Sequence, residues 1–464
     1  MSAETDALER AYHHALTYLA GLDAQSVSAT TSAATLRTRL AAPLPETGTP
    51  AARVIDDLVA ATEGGHVGSA GGRFFGWVIG GALPSALGAD WLTSTWDENT
   101  TIAASGPAGA AVEEVAGAWI KEVLDLPREA SFAFTTGCQM AHVTGLAAAR
   151  HALLAREGWD VEEQGLFGAP PIRVLANDQR HGSAVRALRF LGLGAGSLRS
   201  LPTRDGRLGR STLEQALADG GGPTIVLLNA GDLNLGAFDD FTRLIPIARA
   251  AGTWVHVDGA FGLWARASRE HRALTEGVDL ADSWATDAHK WLNTPKDIGV
   301  AIVRDAVAHR AAMTQSASYI DTSGELRDAI DWTPDWTRRA RGHAVYAALR
   351  ELGRKGVADM IDRCCRQAAT MAEGIAALPG AELVAPAILN QAMVRFPDPR
   401  ASDDDAHDRQ TLAVIDAVNA SGEAYFSGTV WQGRRAMRIS VCNWRTTDRD
   451  VERAVAAVAA ALRG

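Results

Sequence analysis

The chain reads as an α/β protein, with a mostly parallel buried sheet and a smaller α+β domain at its C-terminal end. Three observations carry this. Between about residues 110 and 310, short β-branched runs alternate with helical stretches, as in parallel strands joined through helices. Polar residues suited to chemistry fall just past the ends of those runs, where open parallel sheets bind ligands. After Trp336 the pattern changes to helices followed by strand-like runs and a closing helix.

Residues 1–60 are helix-patterned, with Thr-, Ala- and Pro-rich breaks between Ser26 and Pro50. Such an arm has little core of its own and is expected to wrap a partner subunit or the main domain. Helices are expected over 112–124 and 139–156. Strands are expected at 172–176, 224–228, 254–257 and 300–303. Beyond them come helices over 344–352 and 357–378, strands at 393–396 and 437–441, and a helix over 448–462. The expected division is an arm (1–60), a large domain (61–335) and a small domain (336–464).

Bulk properties narrow the function classes. With 464 residues, 47% of them hydrophobic, the chain has apolar material for a large core. A formal charge of −10 disfavours nucleic acid and anionic membranes as partners. Cys138, Cys364, Cys365 and Cys442 show no metal-ligand spacing and read as reduced thiols. No metal is expected. The N-terminus lacks the basic-then-apolar order of a signal peptide, and the apolar stretch 74–92 is broken by glycines, Pro84 and Asp90. The expectation is a cytoplasmic protein.

Four features in chain order then suggest chemistry. Phe134-Thr135-Thr136-Gly137-Cys138-Gln139 leads into a helix, and free N–H groups at a helix start bind phosphate. Alone, such a turn is more often an ordinary helix start. His181, just past a strand, offers a flat ring for stacking on an aromatic cofactor; alone, it is more often a surface histidine. Asp258 ends an apolar strand, where a carboxylate is costly unless it meets a cation or good donors. A pyridinium N–H is such a cation, and a helix cap or structural ion pair is the plainer alternative. Lys290 is one of only four lysines (Lys121, Lys290, Lys296, Lys355) among 45 basic residues, and stands beside His289 and Trp291. A lysine in apolar company is expected to have a depressed pKa and a nucleophilic amine. Together these supply a phosphate cradle, a ring stacker, a partner for a ring nitrogen and an imine-forming lysine, the parts of a pyridoxal 5′-phosphate (PLP) site. Gly192-Leu193-Gly194-Ala195-Gly196 lacks the spacing of a dinucleotide loop and reads as a plain loop.

The same residues resemble the group II PLP-dependent amino acid decarboxylases, the glutamate, aromatic amino acid and histidine decarboxylase family. The resemblance runs from about residue 70 onward through Arg73-Phe74-Phe75-Gly76, Ala89-Asp90-Trp91-Leu92, Phe134-Thr135-Thr136-Gly137, His181-Gly182-Ser183, Gly236-Ala237-Phe238-Asp239-Asp240, His256-Val257-Asp258-Gly259-Ala260, Ala281-Asp282-Ser283 and His289-Lys290-Trp291-Leu292. It implies the fold-type I (aspartate aminotransferase-like) architecture, a homodimer with the active site at the subunit interface, and decarboxylation of an L-amino acid to amine and CO₂. By matching position, Lys290 would carry the cofactor as an imine, His181 would stack on the ring, Asp258 would pair with its nitrogen, and Ala260 would lie against the other face. Thr136, Gly137, Cys138, Gln139, Asp287 and His289 would surround the phosphate, with Asp287 where asparagine is common. Tyr319 matches the tyrosine of the family's catalytic loop, which would return a proton to the α-carbon. Trp77 stands where glutamate decarboxylases have a polar amide, which argues against glutamate. Asn99 and Thr101 replace apolar residues of the aromatic decarboxylase pocket, which argues against a simple Dopa-type substrate. Lys296 falls where an aromatic residue often meets substrate, and implies an extra carboxylate or phosphate there. Decarboxylative oxidative deamination to an aldehyde, aldol cleavage and transamination keep the same cofactor; in this family aldehyde formation accompanies loss of the loop tyrosine, which Tyr319 retains. A non-catalytic PLP-fold binding protein and a nucleotide-binding α/β protein are the readings from other classes.

Overall fold

The computed structural model describes residues 3–315 and 325–463. The chain opens with three helices, α1 (Ala3–Gly21), α2 (Ala33–Leu40) and α3 (Ala51–Thr62), followed by α4 (Pro84–Trp96) and α5 (Pro107–Val123). His14 on α1 meets Asp56 on α3 at 2.8 Å. The arm still leaves Leu8, Tyr12, Leu16, Val54, Leu58 and Val59 exposed. Neither α2 nor α3 has a buried residue.

The central sheet is built from β1 (Ser131–Thr135), β2 (Arg173–Asn177), β3 (Leu198–Leu201), β4 (Thr224–Asn229), β5 (Trp254–Asp258), β6 (Ser283–Asp287) and β7 (Gly299–Val303). Between and after these strands lie α6 (Gly137–Arg156), α7 (Gly182–Phe190), α8 (Arg210–Ala218), α9 (Phe241–Ala250) and α10 (Ala306–Met313). The strand order is β1-β7-β6-β5-β4-β2-β3, and β7 alone runs against the rest. The sheet is therefore mostly parallel, as the alternating pattern implies. Parallel strands covered by helices are buried on both faces, and β1, β4, β6 and β7 are buried along their whole length. Tryptophans 264, 284 and 291 are fully buried in the core beside the sheet.

The C-terminal part begins with α11 (Gly342–Ala376), interrupted at Gly353, where φ 60° and ψ 178° leave helical space. That break separates the two helical patterns seen in sequence. A four-stranded antiparallel sheet follows, formed by β8 (Glu382–Ile388), β9 (Gln391–Arg395), β10 (Ser427–Trp431) and β11 (Arg434–Ser440) in the order β8-β9-β11-β10. Helices α12 (Asp404–Ser421) and α13 (Asp448–Arg463) accompany it. All four cysteines are free and buried. No helix among the described residues is long and apolar enough to cross a membrane.

Candidate active site

The carboxyl ends of the parallel strands deliver Asn177, Asn229, Asp258 and Asp287 to one rim, and β1 runs through Thr136 into the start of α6. Pairing of β4 with β5 sets Asn229 beside Asp258. A buried network fixes this rim. Asp239 accepts N–H bonds from Asn177 Nδ2 (3.0 Å), Asn229 N (2.8 Å) and Leu208 N (2.8 Å), and Asn229 Nδ2 donates to Asn177 Oδ1 (3.0 Å). Burial pushes the Asp239 carboxyl up to about 6 despite these donors.

Above the rim lies a cavity of about 640 Å³. Gly137, Cys138, Gln139, His181, Asp258, Ala260, Asp287, His289, Lys290 and Trp77 all line it. Thr136 is the N-cap of α6, makes no side-chain capping bond, and is outside the lining. Asn99, Thr101 and Lys296 are also outside it. Asn99 Oδ1 accepts from Thr101 Oγ1 at 2.6 Å and from the Arg338 N–H at 3.0 Å, and the Thr101 hydroxyl also lies against the Trp336 carbonyl. Lys296 Nζ donates to the carbonyl of Ile79, a wall residue, at 2.7 Å. Tyr319 lies outside the described residues.

Lys290 departs from the sequence expectation. Burial does push its pKa down, but Asp287 Oδ2 stands 3.1 Å from Nζ and Asp258 adds to the negative field, so the net shift is upward. Apolar neighbours in sequence suggested a depressed value; the carboxylate three residues earlier reverses it. The other Asp287 oxygen accepts the Cys138 N–H at 2.6 Å. The start of α6 thus attracts an anion, and here that anion is a protein carboxylate. Gly137 makes the turn at φ 75°, and a Cβ on Gly299 of β7 would stand 2.2 Å from the Gly137 carbonyl carbon, so both glycines are needed for this approach.

Asp258 Oδ1 accepts the Ala260 N–H at 3.1 Å, and Oδ2 lies 3.4 Å from His142 Nε2. Burial raises the Asp258 pKa, but His142, His181 and the Ala260 N–H more than offset it and hold the carboxyl well below the usual range. His181 caps α7; its Nδ1 meets Ser183 Oγ at 2.7 Å and accepts the Ser183 N–H. The cavity wall lowers its pKa by desolvation, assisted by the positive charge of Lys290 and opposed by Asp258. His289 Nδ1 meets the Ile298 carbonyl at 3.0 Å, and burial lowers its pKa too.

Two residues escaped the sequence reading. Arg438 of β11 is buried, lines the cavity, and spends one nitrogen on Gln391 Oε1 at 3.2 Å. Its Nε has no partner among the described residues, and burial brings its pKa down to about 10. A lone arginine inside the run Met437-Arg438-Ile439 was the available signal. The second is His142, fully buried on α6 behind Asp258.

These residues fit PLP. Gln139 Nε2 is buried beside the α6 start with no partner among the described residues, a donor suited to phosphate. Asp258 is an ionised carboxylate facing a cavity that also holds a lysine and a flat histidine ring. Sheet, cavity and residue set define a fold-type I PLP enzyme. Residues 36–396 match the family described as the pyridoxal-dependent decarboxylase conserved domain, and the chain belongs to that family. It is a PLP-dependent carboxy-lyase acting on amino acids. An aromatic-L-amino-acid decarboxylase of Bacillus atrophaeus is 26% identical over 93% of this chain and 89% of its own length. An L-2,4-diaminobutyrate decarboxylase of Rhizobium meliloti (strain 1021) is 27% identical over 82% of this chain and 76% of its own. The crystal structure of Oryza sativa TDC with PLP and tryptamine superposes with a TM-score of 0.91 over 98% of this chain and 97% of that one. At 24% identity it shows the shared fold.

Proposed function

We propose that the chain releases CO₂ from an L-amino acid bound between the cavity wall and Arg438, with Lys290 as the residue that carries PLP. The observation behind this is the convergence of Lys290, Asp258, His181 and the α6 start on one cavity. When bound, PLP supplies an electron sink for the charge left on the α-carbon as CO₂ departs. Asp258, held ionised, keeps the ring nitrogen protonated. His181 offers a flat ring that would stack on one face of the cofactor, and Ala260 is small enough to admit it on the other. Gly137, Cys138, Gln139 and His289 hold the phosphate. Lys290 would give up its proton before bonding to the cofactor, against the hold of Asp287, which stands 3.1 Å from Nζ. Arg438, with unspent donors, holds a substrate anion. Tyr319 returns a proton to the α-carbon.

The exposed apolar residues of α1 and α3 support a homodimer in which the arm of residues 1–60 lies on a partner subunit. A large domain of 61–335 and a small one of 336–464 meet at the cavity, since β10 and β11 contribute Thr429 and Arg438 to its wall. Four unpaired cysteines favour the cytoplasm. The test is a screen of the purified protein against the common amino acids, following CO₂, amine, aldehyde and ammonia together. Stoichiometric CO₂ and amine support the proposal; aldehyde with ammonia moves it to oxidative deamination.

A further inference from the structure

Behind Asp258 lies a file of polar side chains in the core. His142 is fully buried on α6, and His256 on β5 and Ser283 on β6 are equally buried. His142 Nδ1 meets His256 Nε2 at 2.9 Å, His256 Nδ1 meets Ser283 Oγ at 2.7 Å, and Trp254 Nε1 donates to Ser283 Oγ at 2.8 Å. Buried polar atoms must be satisfied, and this file has one donor-only end. The indole N–H can only give, so Ser283 oxygen accepts it and the serine proton is free for His256 Nδ1. Burial drives the His256 pKa down to about 3, so that ring carries a single proton, which then sits on Nε2 and goes to His142 Nδ1. His142 is left with its proton on Nε2, facing Asp258 Oδ2 at 3.4 Å and passing Cys138 Sγ at 3.6 Å. Every bond in the file points toward the carboxylate. The fold makes room for it: a Cβ on Gly145, one turn along α6, would stand 2.9 Å from His256 Cε1.

We propose that His142 is a positioning residue for Asp258, locked as the Nε2–H tautomer by the file Trp254–Ser283–His256, and that it holds the carboxylate ionised and turned toward the cofactor ring nitrogen. The proposal rests on the PLP reading of the cavity. It adds a buried proton-ordered support at Oδ2, which leaves Oδ1, the acceptor of the Ala260 N–H, as the oxygen turned to the ring.

The test compares holoenzymes of wild type, His142→Leu and His142→Gln. Leucine fills the space without a donor; glutamine carries an N–H about as far from the backbone as imidazole Nε2. The readouts are the PLP dissociation constant and the ¹⁵N shift of ¹⁵N-labelled ring nitrogen, with unfolding curves to show that each variant is folded. The expected result is PLP binding weaker by about tenfold or more in His142→Leu, in the range seen when outer-shell partners are removed, with the ring nitrogen moved toward its unprotonated shift. His142→Gln restores both. Unchanged binding and shift in a folded His142→Leu overturn the proposal, as does failure of glutamine to restore them. A stoichiometric divalent ion on the purified protein also overturns it, because Cys138, His142 and Asp258 have ligand atoms within 4.8 Å of one another and would then be spent on the ion. Wild type that binds no PLP removes the underlying cofactor reading instead.

Discussion

Replacing Asp287 by asparagine should speed cofactor capture, although Asp287 sits at the centre of the site. Its two oxygens do different work: one holds the Cys138 N–H at 2.6 Å and the other pairs with Lys290 Nζ at 3.1 Å. An amide keeps an oxygen for the N–H but removes the charge. At that separation an ion pair in surroundings of effective dielectric about 20 is worth roughly 5 kcal/mol before desolvation is subtracted. A net hydrogen bond to a charged group is worth about 1.5–3 kcal/mol. Loss of the smaller figure raises the neutral fraction of Lys290 at pH 7 by roughly tenfold. Asparagine also removes a negative charge from beside the phosphate turn. Capture requires a neutral amine, so its rate climbs with pH as Lys290 deprotonates, and the climb begins at lower pH in Asp287→Asn. The assay is stopped-flow absorbance of cofactor-free protein mixed with PLP across pH 6–10, with thermal unfolding of the cofactor-free proteins alongside. The variant should capture PLP about tenfold faster at pH 7 and unfold at lower temperature. Equal or slower capture, or an unchanged pH profile, refutes the assignment of Asp287 as the partner that holds Lys290 charged.

Arg438→Met should raise KM and lower kcat/KM by about ten- to a hundredfold through loss of a charge-assisted bond, with a stability loss limited to about the one bond it makes to Gln391; steady-state kinetics and unfolding curves check both. Asp239 predicts an unusual pH dependence. Its folded pKa of about 6 exceeds the ordinary 3.8, so the folded state binds the proton more tightly, and stability from this group is present below pH 3.8 and lost as pH rises through 6. The full difference amounts to roughly 3 kcal/mol, and urea unfolding at pH 4 and 7 should show wild type losing about 2.4 kcal/mol of it relative to Asp239→Asn.

The parallel strands were legible in sequence because burial on both faces demands continuous β-branched runs, as in Thr224–Asn229 and Gly299–Val303. Strands β1 and β6 were not: Ser-Phe-Ala-Phe-Thr and Ser-Trp-Ala-Thr-Asp mix polar and small residues, and only their place inside the sheet makes them strands. That Lys290, Asp258 and His181 would meet at one cavity was legible because each stands at or just past a strand end with few local uses for its chemistry. The sign of the Lys290 shift was not, since it depends on which way the Asp287 side chain turns after β6. His142 was hidden for a related reason. A histidine in an Ala-rich helix carries no local signal, and its partners are 114 and 116 residues away in the chain.

The central claim is that one lysine carries the cofactor. Reduction of the purified yellow protein with borohydride, followed by peptide mapping, tests it with four lysines to choose from. A single reduced pyridoxyl group is expected on Lys290, and Lys290→Ala is expected to be colourless. A pyridoxyl group on Lys121, Lys296 or Lys355, or none on any lysine, contradicts it.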